Sequence, residues 1–110
     1  LMQDGIKEID NMHEDVDNIF MPDKSSEFNT ARIEALEMQN LFEVAEATAI
    51  TANERKESRG AHARDDFPDR DDENWLAHSI YFSSDKSVSK REVNFRPKTV
   101  QAFQPAVRSY

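Results

Sequence analysis

The segment from residue 65 to residue 73 concentrates the side chains best suited to hold a divalent cation. Its acids are Asp65, Asp66, Asp69, Asp71, Asp72 and Glu73. The segment lacks the alternating ligand order and the central glycine of a calcium-binding EF-hand loop. Arg64 and Arg70 lie beside and within it, so guanidinium groups can neutralise the carboxylates. We therefore predict no metal site and interpret the segment as a solvated or arginine-paired loop.

The three histidines are too widely separated in the sequence for local metal-ligand spacing. His62 is the best placed for acid–base chemistry, because it follows a predicted helix end and precedes Arg64. A general base needs a nucleophile or a substrate group within reach, and the sequence supplies neither. His13 and His78 are interpreted as structural, and no catalytic residue is predicted.

The composition excludes several cofactor and nucleophile chemistries. The only glycines are Gly5 and Gly60, so no glycine-rich phosphate loop or nucleophile elbow can form. The absence of cysteine excludes disulfides, thiolate zinc sites and cysteine nucleophiles. We therefore predict that this chain holds no cofactor by itself.

An amphipathic helix is predicted over residues 2–20. Its apolar side chains recur at steps of three and four, while acids cover the other faces. The apolar positions are Met2, Ile6, Ile9, Met12, Val16, Ile19 and Phe20. Pro22 is expected to end the helix. Because Leu1 already lies in the helical pattern without a preceding cap, we expect a fragment of a longer protein.

A second helix is predicted over residues 30–58. Asn29 is a suitable N-cap, and Phe28 and Ile33 are placed to form a hydrophobic staple. Gly60 is the expected C-terminal stop, because glycine adopts the left-handed conformation without steric cost. The short connector predicts antiparallel packing of the two helices. The residues expected to face each other are Ile6, Ile9, Val16 and Ile19 in the first helix and Ile33, Leu36 and Val44 in the second.

Beyond residue 60 the sequence predicts an irregular segment with a small β-hairpin. Residues 75–82 are aromatic and β-prone, residues 83–87 resemble a turn, and residues 91–95 alternate polar and apolar side chains. The predicted fold is therefore mainly α. It consists of an antiparallel helical hairpin in residues 1–60 and an irregular segment with a short β-hairpin in residues 61–110.

The formal net charge of −8 is unevenly distributed along the 110 residues. Residues 1–27 are acidic, whereas residues 85–110 carry six basic side chains against two acids. Such a tail can meet phosphate or an acidic protein face, or neutralise acidic parts of its own protein, which is the interpretation we favour. Aromatic side chains are not interleaved with the basic ones, so no nucleic-acid partner is predicted. No apolar run approaches the roughly 18 residues that span a bilayer, and the chain is expected to be soluble.

Several blocks in order resemble the end of succinate dehydrogenase flavoproteins. They are the run Glu-Ser-Arg-Gly-Ala-His-Ala-Arg at 57–64, Asp-Phe-Pro at 66–68, Arg-Asp-Asp-Glu-Asn-Trp at 70–75, and the segments 25–30, 37–41 and 105–110. The similarity extends from about residue 1 to residue 110. Fumarate reductases and L-aspartate oxidases share the first block, while the continuation favours bacterial succinate dehydrogenase. An independent acidic helical adaptor is the remaining alternative.

The resemblance implies a parent subunit that binds FAD covalently through a histidine and oxidises succinate to fumarate. It implies electron transfer to an iron–sulfur subunit and a membrane quinone. It also implies that the subunit lies on the cytoplasmic face of the bacterial inner membrane, as a peripheral part of a complex that includes a membrane anchor. The family's C-terminal region is a three-helix, spectrin-repeat-like bundle followed by an irregular segment, so two of the three helices are expected here. The family's catalytic and FAD-contacting residues have no match in this chain, which is therefore predicted to be inactive alone.

Within that resemblance, Arg59, His62, Arg64 and Arg108 are the predicted docking and assembly residues, facing the flavin-binding domain of the same polypeptide. Guanidinium groups form bidentate bonds to carboxylates and carbonyls, and so can hold an irregular chain in place. The alternative for Arg108 is a solvated terminal charge. Without its third helix, the chain is expected to expose an apolar strip and to self-associate.

Overall fold

The computed structural model describes residues 2–106. The elements in chain order are α1 (Met2–Asp17), α2 (Thr30–Glu54), α3 (Asp72–Trp75), β1 (Ala77–Phe82) and β2 (Ser87–Glu92). The two strands form one antiparallel sheet. The predicted fold class, a helical region followed by a small β-hairpin, is confirmed.

Helices α1 and α2 pack against each other in antiparallel orientation, as predicted. Midway along the pair, the ring of His13 lies 6.3 Å from the ring of Phe42. The last turn of α1 contributes Val16, the one buried apolar side chain among residues 2–106.

Helix α1 ends three residues earlier than predicted. Asn18 Nδ2 donates to Glu14 O at 2.7 Å, which satisfies a carbonyl that the helix end would leave unpaired.

The face of α2 that meets α1 differs from the predicted one. The three α2 residues expected to face α1 remain between 53 and 64% exposed: Ile33, Leu36 and Val44. The more buried positions are Ala35, Phe42, Glu46 and Ala49, which recur at helical spacing. Small alanines let the helices approach closely, and the buried Glu46 is accepted because a lysine pairs with it.

The start of α2 is capped as predicted but carries no staple. Asn29 Oδ1 accepts from Arg32 N at 2.9 Å, which confirms the N-cap. Phe28 has a left-handed φ of 51° and is fully exposed. Ile33 is also about half exposed, and the fully exposed Phe28 ring does not pack on it, so the expected Phe28–Ile33 staple is wrong.

The end of α2 lies four residues before the predicted one. Arg55 is the C-cap, and its N–H donates to Thr51 O at 3.2 Å. Gly60 does adopt a left-handed φ of 60°, but in a separate turn where Arg59 N donates to His62 O at 2.8 Å. The prediction of Gly60 as the helix stop is therefore wrong. The residues in between leave the helix because Glu57 is drawn into a buried set of ion pairs.

The β-hairpin has a four-residue loop, Ser83 to Lys86, with Phe82 paired to Ser87 and Ala77 to Glu92. Lys86 closes the turn with a φ of 53°, and Asp85 Oδ1 accepts from Ser87 N at 3.1 Å. Because the turn is complete by Lys86, β2 starts four residues before the predicted strand at 91–95.

Among residues 2–106, no helix combines the length and apolarity needed to cross a bilayer.

Candidate functional site

The centre of the site is Glu57, whose side chain is 0% exposed. Arg59 donates to its carboxylate through Nε at 2.8 Å and Nη2 at 3.0 Å. Asp71 N donates at 2.9 Å, and Arg55 Nη1 also donates to Glu57 Oε1. We name Arg55, Glu57, Arg59 and Asp72 the arginine clasp. It holds together the end of α2, the Gly60 turn and the start of α3.

The hydrogen bonds of the clasp favour the ionised forms of its two carboxylates, Glu57 and Asp72. Burial alone would raise the pKa of Glu57, but the hydrogen bonds from Arg59, Asp71 N and Arg55 outweigh it, so the pKa lies below the usual 4.5. The hydrogen bond from Arg59 likewise lowers the pKa of Asp72, with a further contribution from Arg70. Each guanidinium is thus matched to an ionised carboxylate.

Arg55 connects the end of α2 to the start of β1. Its Nη1 donates to Trp75 O at 3.0 Å, and its Nη2 donates to Ala77 O. The guanidinium lies over the Trp75 ring, 5.4 Å from the ring centroid, and Lys90 Nζ lies 3.4 Å from the same centroid. These cation–π contacts add to the hydrogen bonds that fix Trp75.

Arg59 extends the clasp towards the end of the described chain. Its Nη2 donates to Asp72 Oδ1 at 2.6 Å, and Arg70 Nη2 donates to Asp72 Oδ2 at 2.8 Å. Arg70 Nη1 in turn donates to Ala106 O at 3.0 Å. A continuous series of charged hydrogen bonds therefore joins Glu57 to residue 106.

Arg64 satisfies the open carbonyls at the end of α2. Its Nη1 donates to Asn53 O at 2.7 Å and contacts Ala52 O and Arg55 O, both at 3.3 Å. Its other nitrogens form a bidentate pair with Asp66 at 2.8 and 2.6 Å. A cation at this position also complements the negative end of the helix dipole.

Two further residues close the loop between α2 and α3. Ser58 Oγ accepts from Arg64 N and donates to Phe67 O, both at 2.8 Å. Ser58 N donates to Asp69 O at 3.0 Å. His62 Nε2 lies 3.1 Å from Arg55 O and donates to it. These hydrogen bonds thus fix the loop between α2 and α3.

Three of the four predicted docking residues come together here. His62 and Arg64 contact the end of α2, Arg59 contacts Glu57 just beyond it, and these contacts lie within the chain. Arg108 lies outside the described residues. The predicted neutralisation of the acidic segment is confirmed by the pairs Arg64–Asp66 and Arg70–Asp72. The docking role itself stays a prediction.

Arg55, Glu57 and Ser58 were not predicted as site residues. A signal was present, because Arg55, Glu57 and Arg59 are spaced by two residues. In an extended segment that spacing places all three side chains on one side. The prediction that the second helix continues to residue 58 obscured this signal.

A second buried carboxylate joins the β-hairpin to both helices. Glu46 accepts from Tyr81 Oη at 2.9 Å, and its Oε1 lies 2.6 Å from Lys86 Nζ. The same ammonium donates to Asp10 of α1 at 2.8 Å. Burial and the bond to Glu46 raise the pKa of Tyr81 to about 12. We name Asp10, Glu46, Tyr81 and Lys86 the hairpin anchor; none of the four was predicted as a site residue from the sequence.

The residues that the structure describes offer little for metal chemistry. Among residues 2–106, no group of three or more His, Asp or Glu side chains is arranged to hold a metal ion. Asp66 and Asp72 instead pair with arginines, and Asp71 accepts hydrogen bonds from Asn74 at the start of α3. What the site can do chemically is hold an irregular segment in a fixed shape.

Comparison with known families matches residues 1–110 to the family described as the fumarate reductase flavoprotein C-terminal region. The chain is 46% identical over 107 residues to the succinate dehydrogenase flavoprotein subunit of Coxiella burnetii, which covers 97% of this chain and 18% of that protein. It is 37% identical over 109 residues to the fumarate reductase flavoprotein subunit of Haemophilus influenzae, covering 99% of this chain and 18% of that protein.

The mitochondrial succinate dehydrogenase (ubiquinone) flavoprotein subunit of Oryza sativa is 39% identical over 113 residues, covering 99% of this chain and 18% of that protein. The chain therefore spans less than a fifth of the length of these curated relatives. The match extends over both helices, the clasp and the hairpin. The chain belongs to the C-terminal family of the succinate dehydrogenase and fumarate reductase flavoproteins.

Proposed function

We propose that this chain is the C-terminal structural domain of a succinate dehydrogenase flavoprotein subunit. Its arginine clasp holds the irregular segment in the shape that docks on the flavin-binding domain of the same polypeptide. The full subunit oxidises succinate to fumarate with covalently bound FAD and passes electrons to an iron–sulfur subunit and a membrane quinone. Its place is the cytoplasmic face of the bacterial inner membrane, as a peripheral part of the complex.

The observation that carries the proposal is the complete burial of Glu57 between two arginines. Glu57 is the one fully buried residue between residues 55 and 77, so hydrophobic packing contributes little to the shape of this segment. Charged, bidentate hydrogen bonds are directional as well as strong. They suit a segment whose role is to present a fixed surface to a neighbour.

The residues of this chain do not fit FAD. Dinucleotides are held at a parallel β-α-β unit with a glycine-rich turn, whereas the sheet of residues 2–106 is a two-stranded antiparallel hairpin. We expect the isolated chain to neither bind FAD nor oxidise succinate. A flavin absorbance spectrum of the purified chain, or dicarboxylate-dependent dye reduction by it, tests this expectation.

Fumarate reduction is the second candidate. Its support is the 37% identity over 109 residues with the Haemophilus influenzae fumarate reductase subunit. Measuring succinate oxidation and fumarate reduction by the full-length subunit in its complex distinguishes the two directions. The independent adaptor is disfavoured, because the family match extends over the whole chain.

The docking role is tested in the full-length subunit with Arg59→Ala. We expect covalent flavin content to fall severalfold, while the helicity of this chain carrying the same change stays near wild type. Arg91→Ala, an exposed arginine of β2, is the matched control. The same measurement on Arg108→Ala tests the fourth predicted residue. Wild-type flavin content and turnover in Arg59→Ala would contradict the docking role.

A further inference from the structure

Phe28 combines two unfavourable features in one residue. Its φ of 51° is in the left-handed region, where a bulky side chain is a genuine outlier. Its side chain is also 101% exposed, so the whole ring faces water. Backbone strain of this kind persists where the surroundings enforce it, and it clusters at sites that bind something.

The turn around Phe28 is fixed by hydrogen bonds. The buried Asn29 donates through Nδ2 to Asp23 O at 3.1 Å and Ser25 O at 3.0 Å, while its Oδ1 caps α2. Thr30 N donates to Phe28 O at 3.2 Å. These bonds define the backbone on both sides of Phe28. The ring is therefore presented outward from a defined turn and not from a loosely held loop.

Other apolar side chains are exposed at the same end of the helical hairpin. Phe20 is mostly exposed, and Ile33 is about half exposed on the first turns of α2. A small cleft between the helices is lined by Val16, Ile19 and Leu36 among others. Acids dominate the surrounding sequence. Residues 14–37 hold seven, against two basic residues: Glu14, Asp15, Asp17, Asp23, Glu27, Glu34 and Glu37 against Lys24 and Arg32.

We propose that Phe28 is an aromatic anchor that inserts into an apolar pocket rimmed by Lys or Arg on the remaining part of the same flavoprotein subunit. The inference rests on the proposed function. Aromatic residues with few rotatable bonds dominate the energetics of interfaces, and the acidic surroundings of Phe28 call for a basic rim. The chain spans 18% of the Coxiella burnetii relative. The rest of such a subunit is covalently attached and present at high effective concentration.

Hydroxyl-radical footprinting with mass spectrometry tests the anchor. The rate of Phe28 oxidation is compared in this chain and in the full-length subunit. We expect at least a tenfold slower rate in the full-length subunit. Equal rates would overturn the inference. Protection that grows with the concentration of this chain would assign the anchor to a second copy, and protection that needs the added iron–sulfur subunit would assign it to that subunit; either result also overturns it.

A substitution provides an independent readout. Asparagine tolerates the left-handed conformation better than phenylalanine, so Phe28→Asn relieves the strain and removes the ring. We expect an equal or higher Tm in this chain and a lower Tm in the full-length subunit. Phe103→Asn, which removes another exposed ring, is the control and should leave this difference unchanged. A lower Tm in both forms would show a merely structural role for Phe28.

Failure of this inference is separable from failure of the proposed function. Flavin content of the wild-type full-length subunit is measured on the same sample. A flavin-loaded subunit with a freely oxidised Phe28 overturns the anchor and leaves the proposed function standing. A subunit without flavin in which Phe28 is protected supports the anchor and contradicts the proposed function.

Discussion

At the scale of single residues, Glu57 keeps a buried charge because its donors replace water. An isolated carboxylate transferred into the protein would pay a large desolvation penalty and take up a proton. Two guanidinium groups and the Asp71 amide supply the hydrogen bonds that water would otherwise make. Each of these donors contributes to keeping Glu57 charged in its buried position.

Removing the charge of Glu57 should therefore be costly. Glu57→Gln keeps the side-chain volume but leaves Arg55 and Arg59 without their carboxylate. Breaking a buried ion pair on one side typically costs about 3–5 kcal/mol, and we expect the free energy of unfolding to fall by about 3 kcal/mol. Urea denaturation measures it. The exposed Glu37→Gln on α2 is the control, and a loss as small as the control's would contradict the central role of Glu57.

The pH dependence of the free energy of unfolding should also reveal the contribution of Glu57. The pKa of Glu57 is lowered in the folded chain relative to 4.5, so its contribution is fully present above the unfolded pKa. It is lost as the pH falls from there through the folded pKa. Several aspartates act in the same direction, so the difference between wild type and Glu57→Gln isolates this residue. In acid titrations followed by circular dichroism, the stabilities of wild type and Glu57→Gln should converge at low pH. Curves that stay parallel would contradict the contribution assigned to Glu57.

At the scale of elements, the hairpin anchor fixes β1 and β2 on the helices. Lys86 is the residue that bridges α1, α2 and the turn, since its ammonium contacts Asp10 and Glu46. The phenol of Tyr81 approaches Glu46 from the sheet. The buried carboxylate of Glu46 thus depends on groups contributed by the hairpin.

Replacing Lys86 tests this dependence. Lys86→Asn retains a residue that accepts the left-handed turn but removes the ammonium. A buried carboxylate left with fewer partners costs about 1–3 kcal/mol, and we expect a loss of stability in that range. Hydrogen exchange should also become faster in β1 and β2. Lys98→Asn in the exposed tail is the control; unchanged exchange in the hairpin would show that the anchor is not needed.

The elements were predictable where the pattern is local, and not where distant charges decide. The apolar period predicted both helices, and the capping side chain of Asn29 predicted the start of α2, because each signal lies within a few residues. The end of α2 depends on Glu57 meeting Arg59 and Asp71 N, and its inward face depends on Glu46 meeting Lys86. Hydropathy assigns both glutamates to solvent. The contacts that Arg59, His62 and Arg64 make beyond and at the end of α2 were therefore only partly predictable.

At the scale of the whole molecule, the chain is too open to be a self-sufficient globule. Its radius of gyration is 19.0 Å, whereas a compact domain of this length has about 13 Å. Val16 is the one buried apolar residue among those described. An elongated shape with so small a core is typical of a part that is completed by neighbouring structure, in line with the proposed role within a larger subunit.

The last prediction is that the isolated chain associates with itself through the exposed stripe of α2. Leu41 and Val44 are both more than half exposed, and burying such side chains yields about 1.5–3 kcal/mol each. The mass from sedimentation equilibrium should therefore rise with concentration. In the double variant Leu41→Gln, Val44→Gln we expect at least tenfold weaker association, since about 1.4 kcal/mol corresponds to tenfold in affinity. Phe103→Gln controls for the loss of an exposed apolar side chain elsewhere. A monomer mass at every concentration of the wild type would contradict self-association, and association unchanged in the double variant would move the interface away from α2.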